Sequence, residues 1–238
     1  MEKGRENLEP ALVKLTDRIA YLPHEPEVDR PMLAYIRGDR RTLAVDAGYS
    51  RAHVQAFYRA LDEAELPLPD WTVLTHGHYD HTFGMCAIAG VSIAHRLTNR
   101  YLLEQKELAR DAGYILRMKQ EDAHFAREYA GEDAVNIVPA DIEFEGEMRI
   151  DLGGVTAHIF HTASPHAADT VCVYIPEEGV LFLGDATSED FFNNGYLDRS
   201  KLRMLMEMIE QTPCEYTVLS HCEPLKKREL LDYLRGLL

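Results

Sequence analysis

A dense group of metal-binding side chains lies between residues 76 and 81. His76, His78, Asp80 and His81 directly follow the apolar stretch Trp71-Thr-Val-Leu-Thr75. In a turn after a strand, side chains two residues apart can converge on one ion, while an adjacent pair can point toward a second. Imidazole and carboxylate ligands suit zinc, with iron and manganese as alternatives. A single His-x-His pair fits a polar loop in which Asp80 only caps the next helix, but four such residues favour a metal site.

Two parts of the chain resemble each other. Leu43-Ala-Val-Asp46 matches Leu181-Phe-Leu-Gly-Asp185, and Thr72-Val-Leu-Thr-His76 matches Thr217-Val-Leu-Ser-His221, with 30 and 36 residues from the Asp to the His. Each half therefore predicts a strand that ends at an aspartate, a helix, and a strand that leads to a histidine. A duplicated β/α unit would place two sheets face to face, with the strand ends converging on one site. The alternative is chance similarity between short apolar strands.

The segment His76-x-His78-x-Asp80-His81-x-x-Gly84 resembles the signature of the metallo-β-lactamase superfamily, and the resemblance covers most of the chain. It implies an α/β (α+β) fold, a four-layered αββα sandwich. It also implies that His76, His78 and His166 bind one metal ion, that Asp80, His81 and His221 bind a second, and that Asp185 bridges the two.

The third histidine has two candidates. His166 lies in Ser164-Pro-His-Ala167, where the family usually shows a Pro-Gly-His-Thr-like segment, and His161 stands shortly before it. Strand alternation puts His161 on the same face as Val155, Ala157 and Ile159, which is typical of a core residue or of one that supports a ligand. We therefore favour His166. Asp46, at the end of the first repeated strand, is expected either to hydrogen-bond a ligand histidine or to be a turn residue.

The remaining pattern predicts the elements that position these residues. Apolar residues recur at helical spacing between residues 50 and 65, and strands are predicted at residues 147–152, 155–160, 170–175 and 180–185. The segment from Arg96 to about Tyr129 is rich in good helix formers and predicts one or two long helices, a helical insert at about residues 96–130. No linker divides the chain, so we expect a single domain over residues 1–238.

Composition limits the classes of partner. The 238 residues carry a formal net charge of −15, which argues against nucleic acid, because phosphate binding relies on Lys and Arg. No apolar run approaches a membrane span, the N-terminal MEKGRENLEP lacks a signal-peptide pattern, and four scattered cysteines fit a reducing compartment, so we expect a cytoplasmic protein. No feature of the sequence predicts an oligomeric state.

The chemistry predicted from these residues is hydrolysis by a metal-bridging hydroxide, with Asp80 as the catalytic residue that orients the attacking water or accepts its proton. Motifs for a serine nucleophile, a P-loop or a dinucleotide site are not found. Within the family, flavodiiron proteins typically have a glutamate where this chain has His78, and resistance β-lactamases have a cysteine or serine in place of Asp185. Glyoxalase II enzymes continue into a helical domain, whereas 17 residues follow His221 here.

The expected substrate is thus a small molecule with an ester, thioester, lactone or related bond, and the expected cofactors are two divalent ions, zinc with iron or manganese as alternatives. Lactone-hydrolysing relatives often carry a tyrosine where this chain has Ser188, and Tyr196 is a possible substitute. An iron-dependent dioxygenase or redox protein on the same scaffold, and a non-catalytic metal-binding sensor, are the alternative functions.

Overall fold

Two β-sheets form the centre of the protein in a computed structural model that describes residues 11–238. The expectation for the N-terminal MEKGRENLEP segment lies outside the described residues. The first sheet contains seven strands in chain order, namely β1 (Val13–Lys14), β2 (Ile19–Leu22), β3 (Leu33–Arg37), β4 (Thr42–Val45), β5 (Trp71–Val73), β6 (Val91–His95) and β7 (Ile142–Phe144).

The second sheet has six strands in the order β13-β12-β11-β10-β9-β8. These are β8 (Glu147–Asp151), β9 (Thr156–His161), β10 (Val171–Ile175), β11 (Val180–Gly184), β12 (Tyr216–Leu219) and β13 (Leu225–Lys226). The helices are α1 (Arg51–Glu63), α2 (Tyr79–Thr82), α3 (Arg96–Leu108), α4 (Tyr114–Glu121), α5 (Ala123–Glu128), α6 (Arg199–Gln211) and α7 (Lys227–Arg235), and 3-10 turns span Phe83–Ala87 and Phe191–Asn193.

The main core lies between the two sheets. It joins inward-facing residues of both, such as Ile36, Leu43 and Val73 from the first and Ile159, Val173 and Phe182 from the second. On the outer face of the first sheet, Phe57 and Leu61 of α1 pack against buried strand residues. On the outer face of the second sheet, α6 and α7 bury an apolar stripe. This arrangement confirms the predicted four-layered αββα sandwich.

Helix α1 shows why these residues form a helix where they do. The Ser50 side chain accepts a hydrogen bond from the backbone N–H of His53 at 3.2 Å and so caps the helix N-terminus. The apolar positions Val54, Phe57 and Leu61 recur at steps of three and four and are buried, as the spacing predicts.

The repeated unit is confirmed by the strand pairing. Strand β4 pairs in parallel with β5 across α1, and β11 pairs in parallel with β12 across α6. Parallel neighbours present their carboxyl ends at the same edge of a sheet, so the residues after β4 and β5 share one edge of the first sheet, and those after β11 and β12 share one edge of the second.

The segment between Arg96 and Tyr129 differs from the expectation of one or two long helices, because it contains three shorter ones. Asp122 explains one break, since its side chain accepts hydrogen bonds from the backbone N–H groups of His124 and Phe125 at 2.7 and 2.9 Å and starts α5 anew. Within residues 11–238, no helix is long and apolar enough to cross a membrane.

Candidate metal centre

The predicted ligands come together from four loops at one edge of the sandwich. His76 and His78 lie between β5 and α2, and His166 lies in the loop between β9 and β10. Asp185 directly follows β11, and His221 stands two residues after β12. Asp80 and His81 belong to the one-turn helix α2 instead of the loop predicted for them.

Three imidazoles form the first group of possible ligands. His166 Nε2 lies 3.0 Å from His78 Nδ1 and 3.3 Å from His76 Nε2. A tetrahedral ion with Zn–N bonds of about 2.0–2.1 Å holds its nitrogen ligands about 3.3 Å apart. The three nitrogens therefore have the spacing of ligands that share one ion.

Two carboxylates and two imidazoles form the second group. His81 Nε2 lies 3.2 Å from Asp80 Oδ2 and 3.3 Å from Asp185 Oδ2, and His221 Nε2 lies at the same two distances from these oxygens. Asp185 Oδ2 is also 3.8 Å from His166 Nε2 of the first group. Asp185 thus stands between the two groups, where a bridging ligand would stand.

One buried atom tests whether the second group fits a metal ion. Despite these short distances, His81 Nε2 has no hydrogen-bond partner within residues 11–238 and is shielded from solvent. A buried polar nitrogen left without a partner is unfavourable unless a water molecule or an ion satisfies it. The geometry and the donor chemistry of both groups therefore fit a divalent metal ion.

Asp46 contacts a candidate ligand of the second group directly and one of the first group through Thr75. Its carboxylate is buried and accepts a hydrogen bond from His81 Nδ1 at 2.8 Å, which confirms the predicted contact with a candidate ligand. It also accepts from the Thr75 backbone N–H at 2.7 Å and from the Thr75 hydroxyl at 2.9 Å. Because the hydroxyl proton points to the carboxylate, Thr75 Oγ1 accepts from His76 Nδ1, which is 3.1 Å away.

Asp29 has the same role for His221 and was not anticipated from the sequence. Its Oδ1 accepts from His221 Nδ1 at 3.0 Å and from His24 Nε2 at 3.1 Å. The backbone of Asp29 has a φ of +57°, a left-handed conformation that aspartate tolerates better than most residues. His166 is oriented by the backbone, because its Nδ1 donates to the carbonyl of Glu189 at 2.9 Å. These contacts fix the tautomers that leave Nε2 of His221 and Nε2 of His166 free for a metal.

The two groups differ in their electrostatics. Burial, together with the neighbouring His166, lowers the pKa of His78 to about 4, and burial holds the pKa of His76 well below its usual range. Both rings are therefore neutral at pH 7 and can donate lone pairs. These two rings consequently need no proton displaced before they bind an ion.

In the second group, the carboxylates raise the pKa values of the histidines more than burial lowers them. Burial disfavours the charged form of His221, yet Asp185, Asp29 and Asp80 raise the pKa of its ring to about 12. The pKa of His81 is raised well above its ordinary value against burial by Asp80 and Asp185. Without a metal, protons on these rings balance the carboxylates, and a divalent ion would take their place.

His161, the alternative third histidine, lies elsewhere. Its ring stacks on His95 with centroids 4.3 Å apart, and its Nε2 donates to the carbonyl of Ala168 at 2.8 Å. His166 instead lies among His76 and His78, which agrees with the preference derived from strand alternation.

A cavity of about 490 Å³ opens over both groups. Besides candidate ligands it is lined by Asp29, Tyr79, Asp122, Ser188, Phe191 and Phe192. Ser188 is thus placed at the site, whereas Tyr196 is 58% exposed and is not among the described residues that line the cavity. A volume of this size accommodates a small molecule.

Helix α5 is tied to neighbouring loops by polar contacts that the sequence pattern did not reveal. The Tyr79 hydroxyl donates to the carboxylate of Asp122 at the start of α5. At the end of α5, the buried carboxylate of Glu128 accepts two hydrogen bonds from Arg30 at 2.9 and 3.1 Å and one from the Ser50 hydroxyl. Asp122, which precedes α5, therefore places the start of this helix beside the cavity.

Comparison with known proteins agrees with this architecture. The model of the metallo-beta-lactamase superfamily matches residues 33–221. A metallo-beta-lactamase from Pontibacter korlensis is similar in structure, with 16% identity, a TM-score of 0.64, and coverage of 94% of this chain and 98% of that chain. A metallo-beta-lactamase from Pseudomonas aeruginosa in a mono-zinc form matches with 16% identity and a TM-score of 0.64 over 98% of this chain and 96% of that chain.

A stereoselective inverting sec-alkylsulfatase from a Pseudomonas species has a TM-score of 0.71 at 13% identity. The match covers 95% of this chain but 40% of the sulfatase, so the chain spans well under half of that protein. No curated protein matches the sequence. At these identities the likeness to solved structures shows the fold, and the chemistry is argued from the site.

Proposed function

This chain belongs to the metallo-β-lactamase superfamily, whose model matches residues 33–221, and we propose that it is a dinuclear metal-dependent hydrolase. Its substrate is a small molecule, and the bond it cleaves is an ester, thioester, lactone or related bond. The superfamily includes metal-dependent hydrolases such as lactamases and sulfatases. The observation that carries the proposal is the convergence of two adjoining ligand groups on the floor of one cavity, with Asp185 between them.

In this proposal, His76, His78 and His166 hold one ion, Asp80, His81 and His221 hold the other, and Asp185 bridges. We propose zinc for both ions, because imidazole and carboxylate ligands suit it, with iron and manganese as alternatives. The mono-zinc form of the similar Pseudomonas aeruginosa enzyme supports zinc on this scaffold. When bound, such ions lower the pKa of water to roughly 7 and polarise the oxygen of the scissile group.

The residues of the chain supply orientation and a proton acceptor. Asp80 lines the cavity with a side chain that is 15% exposed, so its carboxylate can orient the attacking water and accept its proton. Asp46 and Asp29 keep His81 and His221 in one tautomer and one orientation throughout the reaction.

The net charge of −15 supports a small-molecule substrate over a nucleic acid. An iron-dependent dioxygenase or redox protein and a non-catalytic metal-binding sensor are the competing functions. Metal content and turnover together separate these three possibilities.

The experiment measures metals in the purified protein by mass spectrometry and screens ester, thioester, lactone, β-lactam and phosphodiester substrates. We expect two zinc ions per chain, turnover of an ester-type bond, and loss of both activity and metal after treatment with a chelator. His76→Ala should lose metal and activity, and Asp80→Ala should lower kcat/KM by about 10²–10⁴-fold.

His158→Ala is the matched control, because His158 pairs with Glu147 on the second sheet and has no predicted role at the site. It should keep full metal content and activity. Iron with oxygen consumption would favour the redox function, and two bound ions without turnover of any of these substrates would favour the sensor. Full activity and metal content in His76→Ala or Asp80→Ala would contradict the proposal outright.

A further inference from the structure

Two adjacent phenylalanines stand exposed beside the metal centre. Phe191 and Phe192 begin the 3-10 turn that follows β11, and they are 63% and 67% exposed. The ring of Phe192 lies 4.9 Å from that of His78, and the ring of Phe191 lies 5.7 Å from that of His166. Large apolar side chains exposed next to each other are uncommon on a protein surface and mark a place where something apolar binds.

The segment that carries these rings, residues 188–196, is called the aromatic turn here. It is held in place by backbone hydrogen bonds from Asp190 N–H to the Tyr196 carbonyl at 3.0 Å and from Gly195 N–H to the Asp190 carbonyl at 3.0 Å. The carbonyl of Glu189 accepts from His166 Nδ1, which links the turn to a candidate ligand. The aromatic turn thus presents its rings to the cavity as a defined wall.

The charged side chains that line the cavity also favour an uncharged substrate. Within residues 11–238, the cavity lining contains four carboxylates, Asp29, Asp80, Asp122 and Asp185, and no lysine or arginine. Asp80 and Asp185 would bind the ions, but Asp29 and Asp122 stay at the wall. A carboxylate, sulfate or phosphate on the substrate away from the reacting bond would therefore find no cation of the protein to pair with.

We propose that the aromatic turn binds an uncharged apolar group beside the scissile bond. The substrate class is then a neutral ester, thioester or lactone with an aliphatic or aromatic acyl chain, and anionic substrates such as carboxylate-bearing β-lactams are disfavoured. This inference rests on the proposed hydrolase function and specifies its substrate.

A binding experiment tests the apolar site on the metal-free protein, independently of turnover. The neutral probe N-phenyl-1-naphthylamine is bound and then displaced by uncharged alcohols from butanol to octanol. We expect affinity for the alcohols to rise about two- to fourfold per methylene, because each buried methylene contributes about that factor. Phe192→Ala should weaken octanol binding about tenfold, and Phe192→Leu should restore most of it.

Tyr233→Ala serves as the control for loss of an exposed aromatic, since Tyr233 is 63% exposed on α7 and is not part of the cavity. It should bind the alcohols like the unchanged protein. Equal octanol affinity in Phe192→Ala and the unchanged protein, with Phe191→Ala also without effect, would overturn the proposal.

The kinetic experiment uses the zinc-loaded protein and p-nitrophenyl esters from acetate to octanoate. We expect kcat/KM to rise two- to fourfold per methylene in the unchanged protein, and Phe192→Ala to lower kcat/KM about tenfold for the octanoate and little for the acetate. p-Nitrophenyl hexanoate is compared with the mono-p-nitrophenyl ester of adipic acid, which differs by a terminal carboxylate and should react at least tenfold more slowly.

The outcomes separate the two proposals. Turnover of the acetate without chain-length dependence, or equal turnover of the adipate ester, would overturn the inference and leave the hydrolase function standing. Absence of turnover with every ester, thioester and lactone despite two bound zinc ions would overturn the hydrolase function and, with it, this assignment of substrate.

Discussion

Asp46→Asn is expected to weaken the binding of the metal ion held near His81, although Asp46 is not a predicted ligand. The Thr75 backbone N–H, 2.7 Å from Asp46 Oδ1, requires an acceptor there and would hold the amide oxygen of the new side chain in that position. The amide NH₂ would then occupy the place of Oδ2, which faces His81 Nδ1 at 2.8 Å. Because NH₂ can only donate, His81 would have to carry its proton on Nε2, the atom that faces Asp80 and Asp185.

The first group keeps its contact through Thr75. The Thr75 hydroxyl lies 2.9 Å from both oxygens of the Asp46 carboxylate. The amide oxygen in the Oδ1 position remains an acceptor, so the hydroxyl can go on donating there and accepting from His76 Nδ1, 3.1 Å away. His76 would then keep Nε2, the nitrogen that faces His166, free for a metal. The substitution therefore changes the tautomer of a candidate ligand in the second group alone.

The expected size of the effect follows from the loss of this outer contact. Removal of a hydrogen-bond partner of a ligand histidine typically lowers metal affinity by about 10–100-fold. This corresponds to about 1.4–2.8 kcal/mol for the ion near His81. Since the contact with His81 is lost and the contact with His76 through Thr75 is kept, the dissociation constant of the ion near His81 should rise more than that of the other ion.

The assay is competition for zinc against a chelating indicator of known affinity, with the two ions resolved by titration. Asp70→Asn is the matched control, because Asp70 also accepts from a threonine backbone N–H and hydroxyl, those of Thr42, on the same sheet. Asp70→Asn should change thermal stability and leave both zinc affinities intact. The reasoning would be refuted by a folded Asp46→Asn protein that binds two zinc ions as tightly as the unchanged chain.

Three further predictions concern the second ligand group and the loop around it. Asp29→Asn should lower the affinity for the ion held near His221 by roughly tenfold and leave the affinity for the other ion unchanged. A zinc titration in which both affinities fall equally would contradict this role of Asp29. The pKa values of His81 and His221 are raised in the metal-free protein, so both rings are protonated at pH 7. A metal ion that binds there must displace up to two protons. The apparent affinity for zinc should therefore rise with pH, by up to about 100-fold per pH unit near neutrality. Calorimetry in buffers of different ionisation enthalpy measures this release, and binding without proton release would exclude it. Gly84→Ala should destabilise the fold by about 3 kcal/mol in urea unfolding, because the new Cβ would lie 2.0 Å from the Ala47 carbonyl oxygen; stability equal to that of the unchanged protein would show that this loop adapts.

Local sequence patterns predicted much of the fold. The spacing of Val54, Phe57 and Leu61 predicted α1, and the two strand–Asp–helix–strand–His segments predicted the parallel pairs β4/β5 and β11/β12. These features follow from the sequence because helix periodicity and strand alternation depend on neighbours a few residues apart. The prediction for the segment after Arg96 was less accurate. Its composition favours helix throughout, and the breaks between its helices depend on capping contacts such as those of Asp122.

The sequence by itself determined the types of candidate ligand and their order, because His76 to His81 are adjacent and the repeat assigns Asp185 and His221 to equivalent strand ends. Only the tertiary structure placed Asp29 against His221, a contact between residues 192 positions apart, and Phe192 against His78. Neither residue lies in a motif, and each reaches the site through a turn whose direction is set by packing of the whole sandwich. Spacing along the chain fixes what can bind a metal, whereas the carboxylates that orient the ligands and the apolar wall that faces the substrate depend on contacts across the fold.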